Sequence, residues 1–427
     1  MRSWRIFGSI AALALASPGW PQASVPLPSA NTRSQPVAVE LAKKTVAEAK
    51  VPGIVIVTGI GDALPQTVAE GRIAIEPDAP RADADSLWRV YSMTKPITGI
   101  AAMILVEEGK LELDQPISDF IPAFKDMKVL VDPAKDLTSR PATRPITVRH
   151  LLTHTAGLGY SIVTKGPLLD EYNRLGINPA QVNALMEPGM RAARPASLEE
   201  FANRVATLPL IADPGAKWSY SISLDVLGRV IEVAGGMPFD QFVNTRIFAP
   251  LKMRDSYWTV PQAKARILAT NYMAPGVAAD LGATSVWLRP PSFPYGGAGL
   301  VMSARDYDRF LHMLLNGGTL EGAKILKPET VKLAMSDLLP PSVDRATLAH
   351  MTADSGAPMG FGAGGSVYLA DKPGGPGKGT YGWAGAAGSI GWVDPVHKLR
   401  ATMMINSFSE QMLKRDASRA IYADLTR

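Results

Sequence analysis

The sequence predicts an α+β protein: a sheet assembled from both ends of the chain, covered by helices, with a mainly helical region inserted between them. Three observations predict it. Strand-like runs lie within residues 53–91 and return within residues 381–407. Between them, apolar residues recur at helical spacing, separated by long loops. No internal repeat is present, and 427 residues suffice for one large domain or two interleaved ones. The expected division puts residues 24–130 and 300–427 in the sheet-containing region and 131–299 in the helical one.

The elements follow in order. Met1-Arg2-Ser3-Trp4-Arg5 is short and basic, and Ile6 to Ala16 is apolar. That run is much shorter than the about 20 residues a spanning helix needs. Ala14-Leu15-Ala16 and Gln22-Ala23 offer small residues for cleavage. Residues 1–23 therefore read as a secretory signal peptide, which implies a periplasmic or secreted protein, cytoplasmic only if the leader is not processed. The alternative is a buried or disordered N-terminal helix. No later segment is long and apolar enough to span a membrane. Val37 to Lys50 has helical periodicity, and 53–60 and 67–75 read as a hairpin pair of strands. Leu87 to Tyr91 is a third strand. From Ser92 the period becomes helical, to about Glu108, where Gly109 ends it. Helical patterns follow at Thr147 to Leu152, Ser197 to Thr207 and Ser223 to Ala234. Tyr381 to Val393 and Leu399 to Ser407 read as two strands turning at Asp394-Pro395, and Met412 to Asp424 as a closing helix.

Composition narrows the function. The chain is 46% hydrophobic and 19% charged, the balance of a folded globular protein. Its 44 basic and 39 acidic residues leave a net charge of +5, small for this length, with no Lys/Arg stripe. A nucleic-acid partner is not expected. With no cysteine, disulfides, thiolate metal sites and Cys nucleophiles are excluded. His150 and His154 are four apart, but no Glu stands between them in His-Glu-x-x-His form and no third ligand is near, so packing is the expected role and no metal is predicted.

The chemistry lies in "YSMTKP", residues 91–96. Ser92 and Lys95 are three apart and share one face of the helix start. Free N–H groups there carry partial positive charge and support a developing anion. A lysine in an apolar setting loses its proton more readily, because desolvation disfavours the ammonium. Ser-x-x-Lys is thus a nucleophile with its base. A serine cap and a surface lysine would look the same by spacing alone. The context separates the two readings: Pro96 fits the first turn, and Ile97 to Met103 is small and apolar, so this helix and its lysine are expected to be buried.

"YSMTKP" resembles the nucleophile motif of the serine β-lactamase and penicillin-binding superfamily, and its wording is closest to the family VIII esterases, which share the fold of class C β-lactamases. Thr147 to Leu158, Pro214 to Ser221, Asp225 to Gly228, Pro250 to Met253, Gly296 to Leu300 and Ser303 to Asp306 resemble further superfamily segments, in order, from about residue 38 to the C-terminus. The resemblance implies a central antiparallel sheet flanked by helices. It implies that Tyr220 shares proton transfer with Lys95, and that Trp383-Ala384-Gly385 stands where β-lactamases have Lys-Thr-Gly. Trp383, Gly385 and Ala386 would orient substrate, and the N–H of Gly385 or Ala386 would complete an oxyanion hole with that of Ser92. Two departures matter. Ile222 replaces the asparagine that holds a β-lactam amide, and the Lys-Thr-Gly cation is missing. Both favour neutral esters over acidic β-lactams.

The sequence therefore predicts a carboxylesterase for short to medium acyl groups, acting on small-molecule esters through a Ser92 acyl-enzyme and needing no cofactor. Tyr91, Ile222, Trp287 and Tyr295 are candidate pocket residues. The rival readings are a β-lactamase or D-peptidase, an acyltransferase, and a cell-wall binding protein without turnover.

Overall fold

The computed structural model describes residues 34–178, 180–352 and 355–427. The predicted leader lies outside them. Helix α1 (Pro36–Ala47) leads into strands β1 (Gly53–Ile60) and β2 (Gln66–Gly71). Then come β3 (Leu87–Arg89), a 3-10 turn over Tyr91–Met93, and α2 (Thr94–Glu107). The middle of the chain supplies α3 (Val148–Leu152), α4 (Leu198–Ala206), α5 (Ser223–Gly235) and the two-residue β4 (Ser256–Tyr257), among shorter helices and hairpins. The last part supplies β5 (Val301–Ser303), α6 (Ala304–Leu315), β6 (Met359–Phe361), β7 (Ser366–Tyr368), β8 (Tyr381–Ala384), β9 (Ile390–Asp394), β10 (Leu399–Met404) and α7 (Leu413–Leu425).

One seven-stranded antiparallel sheet has the order β6-β7-β8-β9-β10-β1-β2. The first strand of the chain pairs with the last, Val55 opposite Met404, so the sheet is built from both ends as expected. Side chains alternate across it. Val55 and Val57 of β1 face the core that holds α2 and α6, whereas Ile54 and Ile56 face α1 and α7. Burial of both faces explains the unbroken apolar run in β1. Arg400 of β10, fully buried, locks α6 to the sheet. Its Nε donates to Asp308 at 2.8 Å and its other nitrogens to the carbonyls of Gly61 and Ala63 at 2.6 and 2.8 Å.

Three boundaries differ from expectation. The second strand stops at Gly71, whose φ of +75° leaves the extended region. The third pairs not with the large sheet but in a small one of order β3-β5-β4. The stretch expected as one strand over 381–393 is a hairpin, broken at Gly385–Ser389 because the Gly385 N–H donates to the Ser389 carbonyl at 2.7 Å and Gly388 takes φ +88°.

Helix α2 is buried along almost its whole length, from Thr94 to Leu105. Gly99 lets it approach the loop before β7: a Cβ there would lie 2.0 Å from the Ala363 carbonyl oxygen. The same loop donates the Gly364 N–H to the Leu152 carbonyl at 3.1 Å, tying α3 to the contact. Gly99→Ala is therefore expected to destabilise the fold by about 1–3 kcal/mol through overpacking, seen as a lower urea midpoint with an unchanged slope.

Candidate active site

The 3-10 turn over Tyr91–Met93 presents Ser92 at the mouth of α2. Tyr91 takes φ +42°, a left-handed conformation that costs a residue with a Cβ about 1–2 kcal/mol. Its surroundings hold it there. The Tyr91 hydroxyl accepts from Asn271 Nδ2 at 2.8 Å, and its ring meets Trp287 edge-on at 5.9 Å and Phe408 at 5.6 Å.

One turn into the helix, Lys95 is fully buried. Its Nζ donates to Ser92 Oγ at 3.1 Å and to the Gly297 carbonyl at 2.8 Å. Tyr220 reaches the same serine from the segment before α5, its hydroxyl 2.8 Å from Ser92 Oγ. Lys95 Nζ also lies 4.7 Å from the centre of the Tyr220 ring and 5.4 Å from that of Tyr160, within cation–π range. From β8, Trp383 donates its indole N–H to the Tyr220 oxygen at 3.3 Å. Elements from four parts of the chain thus converge on one hydroxyl.

The Gly297 segment is itself held. Thr98 Oγ1 donates to the Gly296 carbonyl at 2.7 Å, and Thr94 Oγ1 accepts the Leu300 N–H at 3.2 Å. Asp225 of α5, buried beneath it, accepts the Gly297 N–H at 2.8 Å on Oδ1, while Oδ2 has no hydrogen-bond partner among the described residues. Burial raises the Asp225 carboxyl to about 6, against the attraction of Lys95. Asp225 is thus a positioning residue, one peptide away from the lysine. Its spacing, five residues after Tyr220 inside an apolar helix, is the signal that marks it.

The candidate oxyanion donors separate. The Gly385 N–H is spent on Ser389, whereas the Ala386 N–H makes no hydrogen bond among the described residues. Ser92, Trp383, Gly385 and Ala386 line a cavity of about 630 Å³. The four candidate pocket residues do not line it. Tyr91 and Trp287 brace the serine turn. Ile222 is fully buried in the main core, its N–H donating to the Gly159 carbonyl at 3.1 Å. Tyr295 packs on Phe293 at 4.3 Å with the Arg194 guanidinium 5.7 Å from its ring. Ile222 is a candidate by its place two residues after Tyr220 and the others by aromatic character, and in all four that apolar or aromatic surface serves packing. The wall is instead made by residues such as Ile162, Met359, Trp392 and Met412.

The two histidines have separate tasks. His150 completes a capping box at the start of α3, its Nδ1 accepting the Thr147 N–H at 3.1 Å. Burial lowers it to about 4, so the neutral ring that can accept is the stable form. His154 is fully buried, its Nδ1 2.9 Å from Ser221 Oγ and its ring 4.8 Å from that of Tyr220. Burial, with the Lys95 charge nearby, lowers it too. It is an uncharged wall behind the tyrosine.

A helix-borne Ser-x-x-Lys facing a tyrosine at one end of an antiparallel sheet defines the class of proteins that carry acyl groups on serine within the penicillin-binding fold. The chain belongs to the β-lactamase family, whose model matches residues 40–425. It is 32% identical over 351 residues to esterase EstB of Burkholderia gladioli, covering 77% of this chain and 79% of that one. It is 30% identical over 355 residues to the monacolin J acid methylbutanoyltransferase of Aspergillus terreus, covering 78% and 80%. The solved structure of EstCE1, a hydrolase with promiscuous acyltransferase activity, superposes with a TM-score of 0.72 at 25% identity, over 92% of this chain and 98% of that one. These similarities place the chain on the esterase side of the serine β-lactamase and penicillin-binding superfamily.

Protonating Asp225 removes the negative charge that faces Lys95 and weakens its hold on Gly297. The ionised form predominates only above about pH 6. On acidification kcat/KM is therefore expected to fall with a midpoint near that value. Asp225→Asn should lower the plateau and flatten that limb; a limb of unchanged midpoint in the variant would assign it to another group.

Proposed function

We propose that the protein is a carboxylesterase working through a Ser92 acyl-enzyme. The observation that carries this is the placing of Ser92 Oγ 3.1 Å from Lys95 Nζ and 2.8 Å from the Tyr220 hydroxyl at the foot of the cavity. Ser92 Oγ attacks the ester carbonyl, and its proton passes to the Tyr220–Lys95 pair, which enters the reaction with one of its two protons already released. The oxyanion rests on the N–H groups of Ser92 and Ala386. The alcohol leaves with a proton from the same pair, which then activates water to free the acid. The Trp383 indole, aimed at the Tyr220 oxygen, supports the charge that oxygen takes on. Trp383 sits where β-lactamases carry a cation, and its indole offers no charge to a carboxylate beside the scissile bond, so esters are the better substrates.

Acyl transfer to an alcohol is the second reading. It is favoured by the size of the cavity, which leaves room for an acceptor over the acyl-enzyme, and by the transferase activity named for two similar proteins. The leader over residues 1–23 supports a site of action outside the cytoplasm, and among the described residues no helix is long and apolar enough to cross a membrane. We also keep the division at residues 131–299 as the mainly helical unit.

On p-nitrophenyl butyrate, Ser92→Ala is expected to abolish turnover and Tyr220→Phe to reduce kcat about 10²–10⁴-fold. Initial rates on that ester and on a chromogenic cephalosporin decide between esterase and β-lactamase. Faster cephalosporin turnover would reverse the assignment. Adding a primary alcohol and measuring the new ester against free acid decides whether water or alcohol is the preferred acceptor.

A further inference from the structure

The cavity does not end at the reacting groups. It continues over the outer face of β7, β8 and β9, where Ser366, Gly382 and Trp392 are register neighbours and two of the three are small. Its wall is the start of α7. That helix begins beside the proposed oxyanion donor, since Gln411 Nε2 donates to the Ala386 carbonyl at 2.8 Å. Lys414, Arg415, Ser418 and Arg419 then line the cavity on successive turns. At a rise of 1.5 Å per residue, Arg419 lies about 9 Å along the helix from Leu413, its first residue.

The charge along this wall is one-sided. Lys372, Lys414, Arg415 and Arg419 line the cavity, and no described carboxylate does. Lys414 donates to the Gln411 side-chain oxygen, and neither it nor Arg419 forms an ion pair among the described residues. Burial lowers the Lys414 ammonium to about 8, with no acidic group compensating. An anion entering here would restore part of the solvation this lysine has lost, and Arg419, exposed at the rim, would be a second donor.

We propose that the natural ester carries a second, anionic group at the far end of its acyl chain, received by Lys414 and Arg419. This rests on the esterase reading above. The direction follows from the site: the acyl carbonyl sits at Ala386, and a chain leaving that point runs along α7. The missing Lys-Thr-Gly cation is thus replaced by charge placed farther from the scissile bond. The ligand class is the half-ester of a medium-chain dicarboxylic acid, or its ω-phosphonate counterpart.

The test compares kcat/KM for p-nitrophenyl octanoate, p-nitrophenyl hydrogen suberate and the ω-phosphonate ester of equal length. An anionic ester is expected to exceed the neutral one about tenfold, and this ratio to collapse towards one in Lys414→Gln/Arg419→Gln. Arg419→Gln alone, at an exposed position, repeats the ratio should the double variant fold poorly. Whichever anionic ester gains more identifies the head group. Equal values for all three esters in the native protein, or a ratio that survives the double variant, would overturn the proposal. Absence of Ser92-dependent turnover of any of the three esters would instead overturn the esterase reading.

Discussion

A fully buried lysine governs this structure. Lys95 has left water entirely, and an isolated charge in that position would cost several kcal/mol. It is tolerated because the Gly297 carbonyl, the Ser92 oxygen and two tyrosine ring faces surround it. Each of those must be held in turn. Thr94 and Thr98 fix the loop that brings Gly297, Asp225 grips its N–H, and Gly99 allows α2 to sit deep enough for the lysine to be enclosed. The helix looks like plain core from one side and like reaction machinery from the other, and the same contacts serve both.

Strain at the serine turn belongs to this economy. Tyr91 is held in a backbone conformation it would not adopt alone, and Asn271, Trp287 and Phe408 supply the restraint. Large aromatic residues that sequence reading places in the pocket are used one layer further out. Beside Trp383, Trp392 and the basic residues of α7, much of the cavity is lined by glycine, serine, alanine and methionine, side chains that carry little weight in a sequence pattern.

What was legible in the sequence follows from how local the signal is. Ser92 and Lys95 are one helical turn apart, so their meeting is a property of the helix. Tyr220 and Trp383 come from remote segments, and only the family resemblance joins them to the serine. The first strand was readable from its β-branched run, and α5 from its period and the glycines that stop it. Residues 359–361 and 366–368 gave no such signal: strands of three residues among glycines have no periodicity to detect. Helix α6, capped by Ser303 over Asp306, also drew no assignment, because Ala-Arg-Asp-Tyr-Asp-Arg opens it with charge and its apolar face appears only afterwards. Gly385 and Ala386 could not be told apart until the hairpin showed which N–H was already spent.

The pairing of the earliest strand with the latest has a consequence for synthesis. The helix that follows Ser92 is made well before the strand bearing Trp383, the turn bearing Ala386 and the helix bordering the cavity. Until those are made, the serine lacks the Ala386 N–H proposed as its second oxyanion donor and the strand whose Trp383 meets Tyr220. A serine without those partners lacks the groups proposed to drive its acylation by an ester, so the site matures only after the strands that close the sheet have been made.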